Sequence, residues 1–431
     1  MTEKALLLQS ADFARGRFDP DYYQSCYSEE IAPGQDALDH FLSVGADAGL
    51  KPCEDFDPIL YKIAHPDRGG VNPLFDCLRR GDRTRYDHPG KIFPEHKTRD
   101  GTVGAVTIPL PPDVRQQCRR NGHLIAENRD RSILIPWRGA TYELRNPSLQ
   151  TVLNRFANNQ PFSFGRLPHG FWDSLLRWHR LVEELGTHPL CPNLNRSEIG
   201  NLASRLLSSE YMYHTLMANG VFSEHFVEEA LADMRSNPRD EDFWTAIAFK
   251  PFPTPVDSAL GFEDDRLAHR LELFDDYFTP ADRLYDANLM KRWVISGDIS
   301  VFAQGTLPHP TILVGPARLG DLGAQWGHGD FHHIGIPPAM SQVLRYQLLE
   351  TIAAAVAAIS PANGGAKPIV LFQCGGSLAY WFIRRLRLRA PDVFYIDMGQ
   401  SLNVWAWDPP TAWMSLFSEQ ILAVNPFIVQ S

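Results

Sequence analysis

Pro161-Phe-Ser-Phe-Gly-Arg-Leu-Pro-His-Gly-Phe-Trp-Asp173 is the stretch on which the reading of this chain turns. Phe162 and Phe164 alternate as on one face of a short buried strand, expected to break at Arg166 into a Pro/Gly turn that carries His169. Proteins built from alternating strands and helices place their chemistry at such turns, outside the carboxyl ends of the strands. Downstream the pattern repeats. Residues 311–314, 330–336, 369–372 and 393–396 read as short strands, and 341–359 and 378–389 as helices between them. Short apolar strands alternating with helices predict an α/β fold, a Rossmann-like parallel sheet covered on both faces. Upstream, 149–156 carries Leu149, Val152, Leu153 and Phe156 on one helical face, and 174–250 reads as mostly helical.

Residues 18–81 contain an internal repeat. Phe18-Asp-Pro-Asp-Tyr-Tyr23 and Asp36-Ala-Leu-Asp-His-Phe-Leu-Ser-Val-Gly45 return as Phe56-Asp-Pro-Ile-Leu-Tyr61 and Asn72-Pro-Leu-Phe-Asp-Cys-Leu-Arg-Arg-Gly81. The offset is 38 residues at the first element and 36 at the second, a period of stacked helical units. Asp19 and Asp57 stand where they cap helices beginning at Pro20 and Pro58. Asp36 and Asn72 precede second helices that end at Gly45 and Gly81. Residues 1–85 are therefore read as an all-α repeat module with copies at 18–45 and 56–81. Residues 86–145 are read as a linker with a small β element near 132–137, and 146–431 as one nucleotide-binding α/β domain.

The bulk numbers narrow the classes. The chain has 431 residues, 44% hydrophobic and 21% charged, enough for a sizeable core in more than one domain. A net charge of −10 supplies no basic face, so nucleic acid is not an expected partner. No apolar run reaches the length of a membrane span, and the first residues show no secretory leader. The six cysteines, Cys26, Cys53, Cys77, Cys118, Cys191 and Cys374, form no C-x-x-C pair, which points to reduced thiols and a cytoplasmic location. The run Arg384-Arg-Leu-Arg-Leu-Arg389 suits a helix C-terminus, with a peripheral position at the inner membrane face as the other reading.

Over 147–408 the order of pieces resembles the bacterial glycosyltransferases of the GT-D fold. The matching pieces are Phe162-Ser-Phe-Gly-Arg166, Tyr285-Asp-Ala287, Ile312-Leu-Val-Gly-Pro316, Ile334-Gly-Ile-Pro337, the glycine turn at 374–377 and Tyr395-Ile-Asp-Met-Gly399. The N-terminal copies resemble the Phe-Asp-Pro-x-Tyr-Tyr repeats attached to many polysaccharide glycosyltransferases. The resemblance implies transfer of a hexose from a nucleotide-diphosphate sugar to a glycan or glycoconjugate hydroxyl, in surface polysaccharide or glycoprotein synthesis. It also implies a link to other glycan-synthesis proteins through the repeats.

The family turn usually reads Arg-Phe-Gly-Asp-Gly-Glu, whose carboxylates hold a divalent metal. Here His169 and Phe171 stand in their places. Hard cations such as Mn²⁺ and Mg²⁺ want oxygen ligands, so the metal is left open and no ligand set is assigned. Asp173 could replace a missing carboxylate, and His328, Asp330 and His332 would share one face of an extended strand, with His333 beside them. His169, Asp173 and Asp397 are the expected catalytic residues. Arg166, Gly170, Asp286, Gly315, Gly375, Gly376 and Ser377 are the expected nucleotide-sugar contacts. Gly375-Gly-Ser377 opens a helix whose amides suit a diphosphate, and Arg166 suits the same group as a bidentate donor. Asp286 reads as a helix cap or a sugar contact, and Asp397 as a ribose contact, a base or a turn cap. The alternative function is a noncatalytic adaptor of the same fold that binds a glycan or an enzyme partner.

Overall fold

The computed structural model describes residues 17–28, 30–68, 71–86, 132–167, 169–212, 241–247, 275–337, 344–359 and 365–406, with a few positions in 229–236 and 421–425. Positions 87–131 of the expected 86–145 linker, including Cys118, lie outside them. The described residues fall into two compact units.

In the first unit, 17–86 and 177–212, each repeat copy folds as its caps dictate. Asp19 accepts from the Tyr22 amide ahead of α1 (Pro20–Tyr27). Asp36 accepts from the Leu38 and Asp39 amides ahead of α2 (Ala37–His40), which continues as a π turn over Phe41–Gly45. Asp57 accepts from the Ile59 and Leu60 amides ahead of α3 (Pro58–Ala64), and Asn72 from those of Leu74 and Phe75 ahead of α4 (Pro73–Arg79). The copies also share long-range bonds. The Asp19 amide donates to Pro52 O at 2.9 Å, and the Asp57 amide donates to Tyr86 O at 2.8 Å. Tyr23 Oη meets His40 Nδ1 at 2.9 Å, and its counterpart Tyr61 donates to Asp76 Oδ2 at 2.8 Å.

Two further helices are α6 (His169–Gly186), whose second half belongs to this unit, and α7 (Arg196–Met212). The α7 start is a capping box, in which the Asn195 amide and carboxamide exchange bonds with Glu198 at 3.0 Å each. Asn201 and Arg205 on α7 donate to Ala48 O and Gly49 O in the connection between the copies, and Arg205 pairs with Asp57 of the second copy at 2.5 Å. The repeats bury themselves against α7, a partnership their sequence alone did not reveal.

The second unit is built on one nine-stranded sheet among the described residues, ordered β1-β2-β5-β4-β3-β9-β8-β6-β7. The strands are β1 (Ile133–Trp137), β2 (Ala140–Arg145), β3 (Ser163–Leu167), β4 (Phe243–Ile247), β5 (Leu284–Asp286), β6 (Thr311–Pro316), β7 (Phe331–Ile336), β8 (Ile369–Phe372) and β9 (Phe394–Asp397). The strands β2 to β9 run parallel, and only the edge strand β1 is antiparallel. The fold is α/β with a Rossmann-like parallel sheet. Residues of β3, β4, β8 and β9 are buried throughout, as in a sheet covered on both sides.

One face packs on α5 (Leu149–Ala157), α8 (Leu289–Ser296) and α9 (Asp298–Thr306), with Val152, Phe156, Phe162, Phe164, Trp293 and Phe302 in a common core. The short α10 (Leu322–Trp326) follows β6. The other face carries α11 (Arg345–Ile359) and α12 (Gly376–Arg389). Gly165 sits under this second layer, where a Cβ would lie 2.8 Å from the Tyr380 ring. That close approach explains a glycine in a central strand.

Two expectations are corrected. The strand at 163 does not break at Arg166. It runs to Leu167, with Arg166 paired opposite Ala246, and α6 begins at His169 in place of an open turn. The mostly helical reading of 174–250 missed β4, and the short Leu284–Asp286 was not seen as a strand. The arginine run at 384–389 closes α12 as expected of a helix C-terminus, with Arg387 and Arg389 in its last turn. Arg385 pairs with Asp233 at 2.7 Å, Arg384 donates to Ser236, and Arg389 pairs with Glu350 at 2.7 Å. Among the described residues no helix is long and apolar enough to cross a membrane.

Candidate functional site

Parallel strands bring their carboxyl ends to one edge, and the register sets which residues meet there. Leu167 lies opposite Ile247, Ile247 opposite Asp286, and Phe372 opposite Asp397. Arg166 is buried at this edge. Its Nε donates to Ala287 O at 2.8 Å, and Nη1 lies 3.6 Å from Asp397 Oδ1. The Asp397-Met-Gly399 turn wraps the guanidinium. The Gly399 amide donates to Asp397 Oδ1 at 2.8 Å, its φ is +53°, and a Cβ there would stand 1.6 Å from Arg166 Nη1. Arg166 is thus neither a surface ion pair nor an open diphosphate clamp. It is a buried strut holding Asp397.

Asp397 is 1% exposed, and its Oδ2 is buried without a hydrogen-bond partner. Burial pushes its carboxyl up to about 6, although Arg166 and the Gly399 amide pull the other way. The same surroundings raise the Cys374 thiol, by burial first and by Asp397 second. Lys291, in the first turn of α8, is 7% exposed. Burial, then the Arg166 charge, lowers its ammonium to about 7 against the opposing pull of Asp286. Asp286 accepts from the Asn288 amide at 2.9 Å and pairs with Arg292 at 2.5 Å. It closes the turn into α8 two residues before the cap position, and its buried Oδ2 meets Arg292 as a charge but has no hydrogen-bond donor.

A second group of residues lies where β6 and β8 end side by side. From β6 the chain moves outward to β7, and from β8 inward to β9, so the two exits diverge as at a topological switch point. Gly315 O is hydrogen-bonded to His333 Nε2 at 3.1 Å. Asn403 Oδ1 accepts from Gln373 Nε2 at 2.6 Å and from Arg318 Nη2 at 3.0 Å. Gln373 Oε1 is buried without a partner, and Arg318 is exposed. Gly375 holds the cap position of α12 with φ +86°, and no side chain caps the helix. Gly376 and the buried Ser377 form its first turn. The expected glycine turn is present, and Arg318, Gln373, Asn403 and Lys291 join the expected residues. No motif singled these four out, because each is a lone polar residue in sequence and gains meaning only from neighbouring strand ends.

No family model, curated protein or solved structure matches this chain. The site has to be read from its own chemistry. His169, Gly170 and Asp173 lie on the backbone of the first turns of α6, directly beyond β3.

The described residues do not suit a hard divalent cation. Asp286 and Asp397 are each answered by an arginine, and no group of three or more His, Cys, Asp or Glu gathers among the described residues. The 328–332 face does not assemble either. His328 turns to Thr306 O at 3.2 Å, and exposed His332 turns to Asp330 at 3.1 Å, because β7 begins only at Phe331.

Asp397 gives the site a pH signature. An unfolded aspartate titrates near about 3.9, below the folded value, so the unfolded chain is the stronger acid. Ionising Asp397 therefore costs stability as pH rises through that interval. Urea unfolding from about pH 3 to pH 7 will show the natural chain losing roughly 3 kcal/mol relative to Asp397→Asn, with a constant difference above. A flat difference would mean that Asp397 titrates as an ordinary aspartate.

Proposed function

We propose that the chain is a glycosyltransferase that moves a hexose from a nucleotide-diphosphate sugar to a hydroxyl of a glycan or glycoconjugate, in surface polysaccharide or glycoprotein synthesis. The observation that carries the reading is the placement of a buried, partnerless carboxylate oxygen on Asp397 beside the uncapped N-terminus of α12 at the carboxyl edge of a parallel sheet. An acceptor hydroxyl needs a proton acceptor, and a carboxylate whose affinity for protons is raised by burial suits that task. The departing diphosphate needs positive charge, and the α12 amides with exposed Arg318 can supply it.

In this reading the acceptor oxygen bonds to the anomeric carbon as the bond from that carbon to the diphosphate breaks. The acceptor proton passes to Asp397 Oδ2, and the electron pair leaves on the diphosphate. Arg166 is a positioning residue that holds Asp397, and Lys291 adds cationic character when protonated. His169, at the start of α6, is the second candidate base. The repeats are proposed to contact other glycan-synthesis proteins, and the whole to work in the cytoplasm at the inner membrane face.

Isothermal titration with UDP, GDP and their sugar conjugates, with Mn²⁺ and with EDTA, tests the reading. Binding that survives EDTA is expected, and Arg318→Ala should weaken it by about tenfold, the loss of one charged hydrogen bond. Asp397→Asn should keep nucleotide binding and abolish transfer. His169→Ala separates the two bases, because full turnover in that variant removes His169 from the chemistry. Binding only with Mn²⁺ would bring back a metal role for Asp173. No binding to any nucleotide would leave the adaptor reading.

A further inference from the structure

The two repeat copies share a frame but not their chemistry. Where the first has Gln24, Tyr27 and His40, the second has Lys62, His65 and Asp76. In the first copy the space is filled. Tyr27 is buried against Tyr23 with ring centroids 4.7 Å apart, and its hydroxyl accepts from the Lys51 amide. In the second copy a cleft opens instead, lined by Tyr61, Lys62, His65, Arg68, Asp76 and Asn193. His65 stacks on Tyr61 at 4.3 Å, and Asn193 is held by a bond to Pro66 O.

Asp76 lies at the base of this cleft and is 1% exposed. Tyr61 donates to its Oδ2, while Oδ1 is buried without a hydrogen-bond partner. Three arginines surround it as charges only: Arg68 at 3.9 Å, Arg79 at 4.0 Å and Arg80 at 3.8 Å. The charge of Asp76 is answered, but the donor requirement of Oδ1 is not. A cation is opposed by the arginines and an anion by the carboxylate. What fits is a neutral group that donates to Asp76 and accepts from Arg68 beside it. Adjacent hydroxyls do both, since each is donor and acceptor. Pro66, Val71 and the His65 ring supply an apolar wall for the C–H face of a ring.

We propose that the second repeat copy is a saccharide-binding site that grips a pyranose by two neighbouring hydroxyls. This goes beyond the transferase reading and does not rest on it. Saturation-transfer NMR on the full chain, with the methyl glycosides of glucose, galactose, mannose, rhamnose and N-acetylglucosamine, provides the test. At least one glycoside should receive transfer at its ring protons, while glycerol should not. Asp76→Asn should weaken binding by tenfold or more. Arg68→Ala, on the half-exposed rim, should weaken it without moving the thermal midpoint. UDP and Asp397→Asn should leave it unchanged, which separates this site from the sheet edge. Absence of transfer to every glycoside, equal transfer to glycerol, full binding in both variants or displacement by UDP would each overturn the proposal. Failure of nucleotide binding would not touch it.

Discussion

Replacing Arg205 with alanine will destabilise the repeat unit by about 3–5 kcal/mol, the usual cost of breaking a fully buried ion pair by removing one member. Arg205 is 2% exposed, and so is Asp57, its partner at 2.5 Å. Asp57 also caps α3 through the Ile59 and Leu60 amides. Arg205 further donates to Gly49 O in the connection between the copies. One guanidinium therefore ties the second copy to the segment that joins the two copies, and its loss leaves a buried carboxylate without its counter-charge and the Gly49 carbonyl without this donor. Arg205→Met should recover part of the packing but not the charge. Urea unfolding followed by tryptophan fluorescence and far-ultraviolet dichroism will report the change. A loss below about 1 kcal/mol would show that Asp57 is satisfied without Arg205.

The second large effect is expected at Gly399. An added methyl would overlap the Arg166 guanidinium at 1.6 Å, in a backbone region with φ +53° that side chains disfavour. Strain and overpacking together should cost about 2–4 kcal/mol. The functional loss should be larger than that of a merely weakened fold, because Arg166 can yield only by leaving Asp397 and Ala287 O. Gly399→Ala should shift the Asp397 titration, read as the pH dependence of stability against the same change in an Asp397→Asn background. An unchanged profile with ordinary stability would show that the turn does not hold the guanidinium.

The repeat caps and most of the parallel sheet were legible because they depend on local chemistry. Pro after Asp is a favoured helix start, and 369–372 is apolar enough to read as a buried strand from its own residues. The strand β4 escaped because Phe243–Ile247 is only five residues long and follows a charged run, and its identity comes from pairing with β3 and β5. Arg166 was misplaced for a related reason. A charged residue after Phe162 and Phe164 reads as the end of a strand, unless one knows that Asp397, far along the chain, lies within 3.6 Å. The partnership of the repeats with α7 was hidden in the same way, since Asp57 and Arg205 are 148 positions apart. Asp397 and the glycine turn were legible as residues, but their neighbours Gln373, Asn403, Arg318 and Lys291 were not.

The order of the central strands has a consequence for synthesis. Ser163 of β3 pairs with Tyr395 of β9, more than two hundred residues later. On the ribosome, β3 and β4 emerge long before their neighbour on the other side exists. The nascent sheet must wait with one strand edge unpaired, the state in which chains are most prone to associate wrongly. Termination before Phe394 would leave a sheet split through its middle, with Arg166 buried beside no carboxylate. Early stop codons in this gene should therefore yield material for the degradation machinery rather than a shortened functional chain, and production of the intact protein should respond strongly to chaperones that hold open edges.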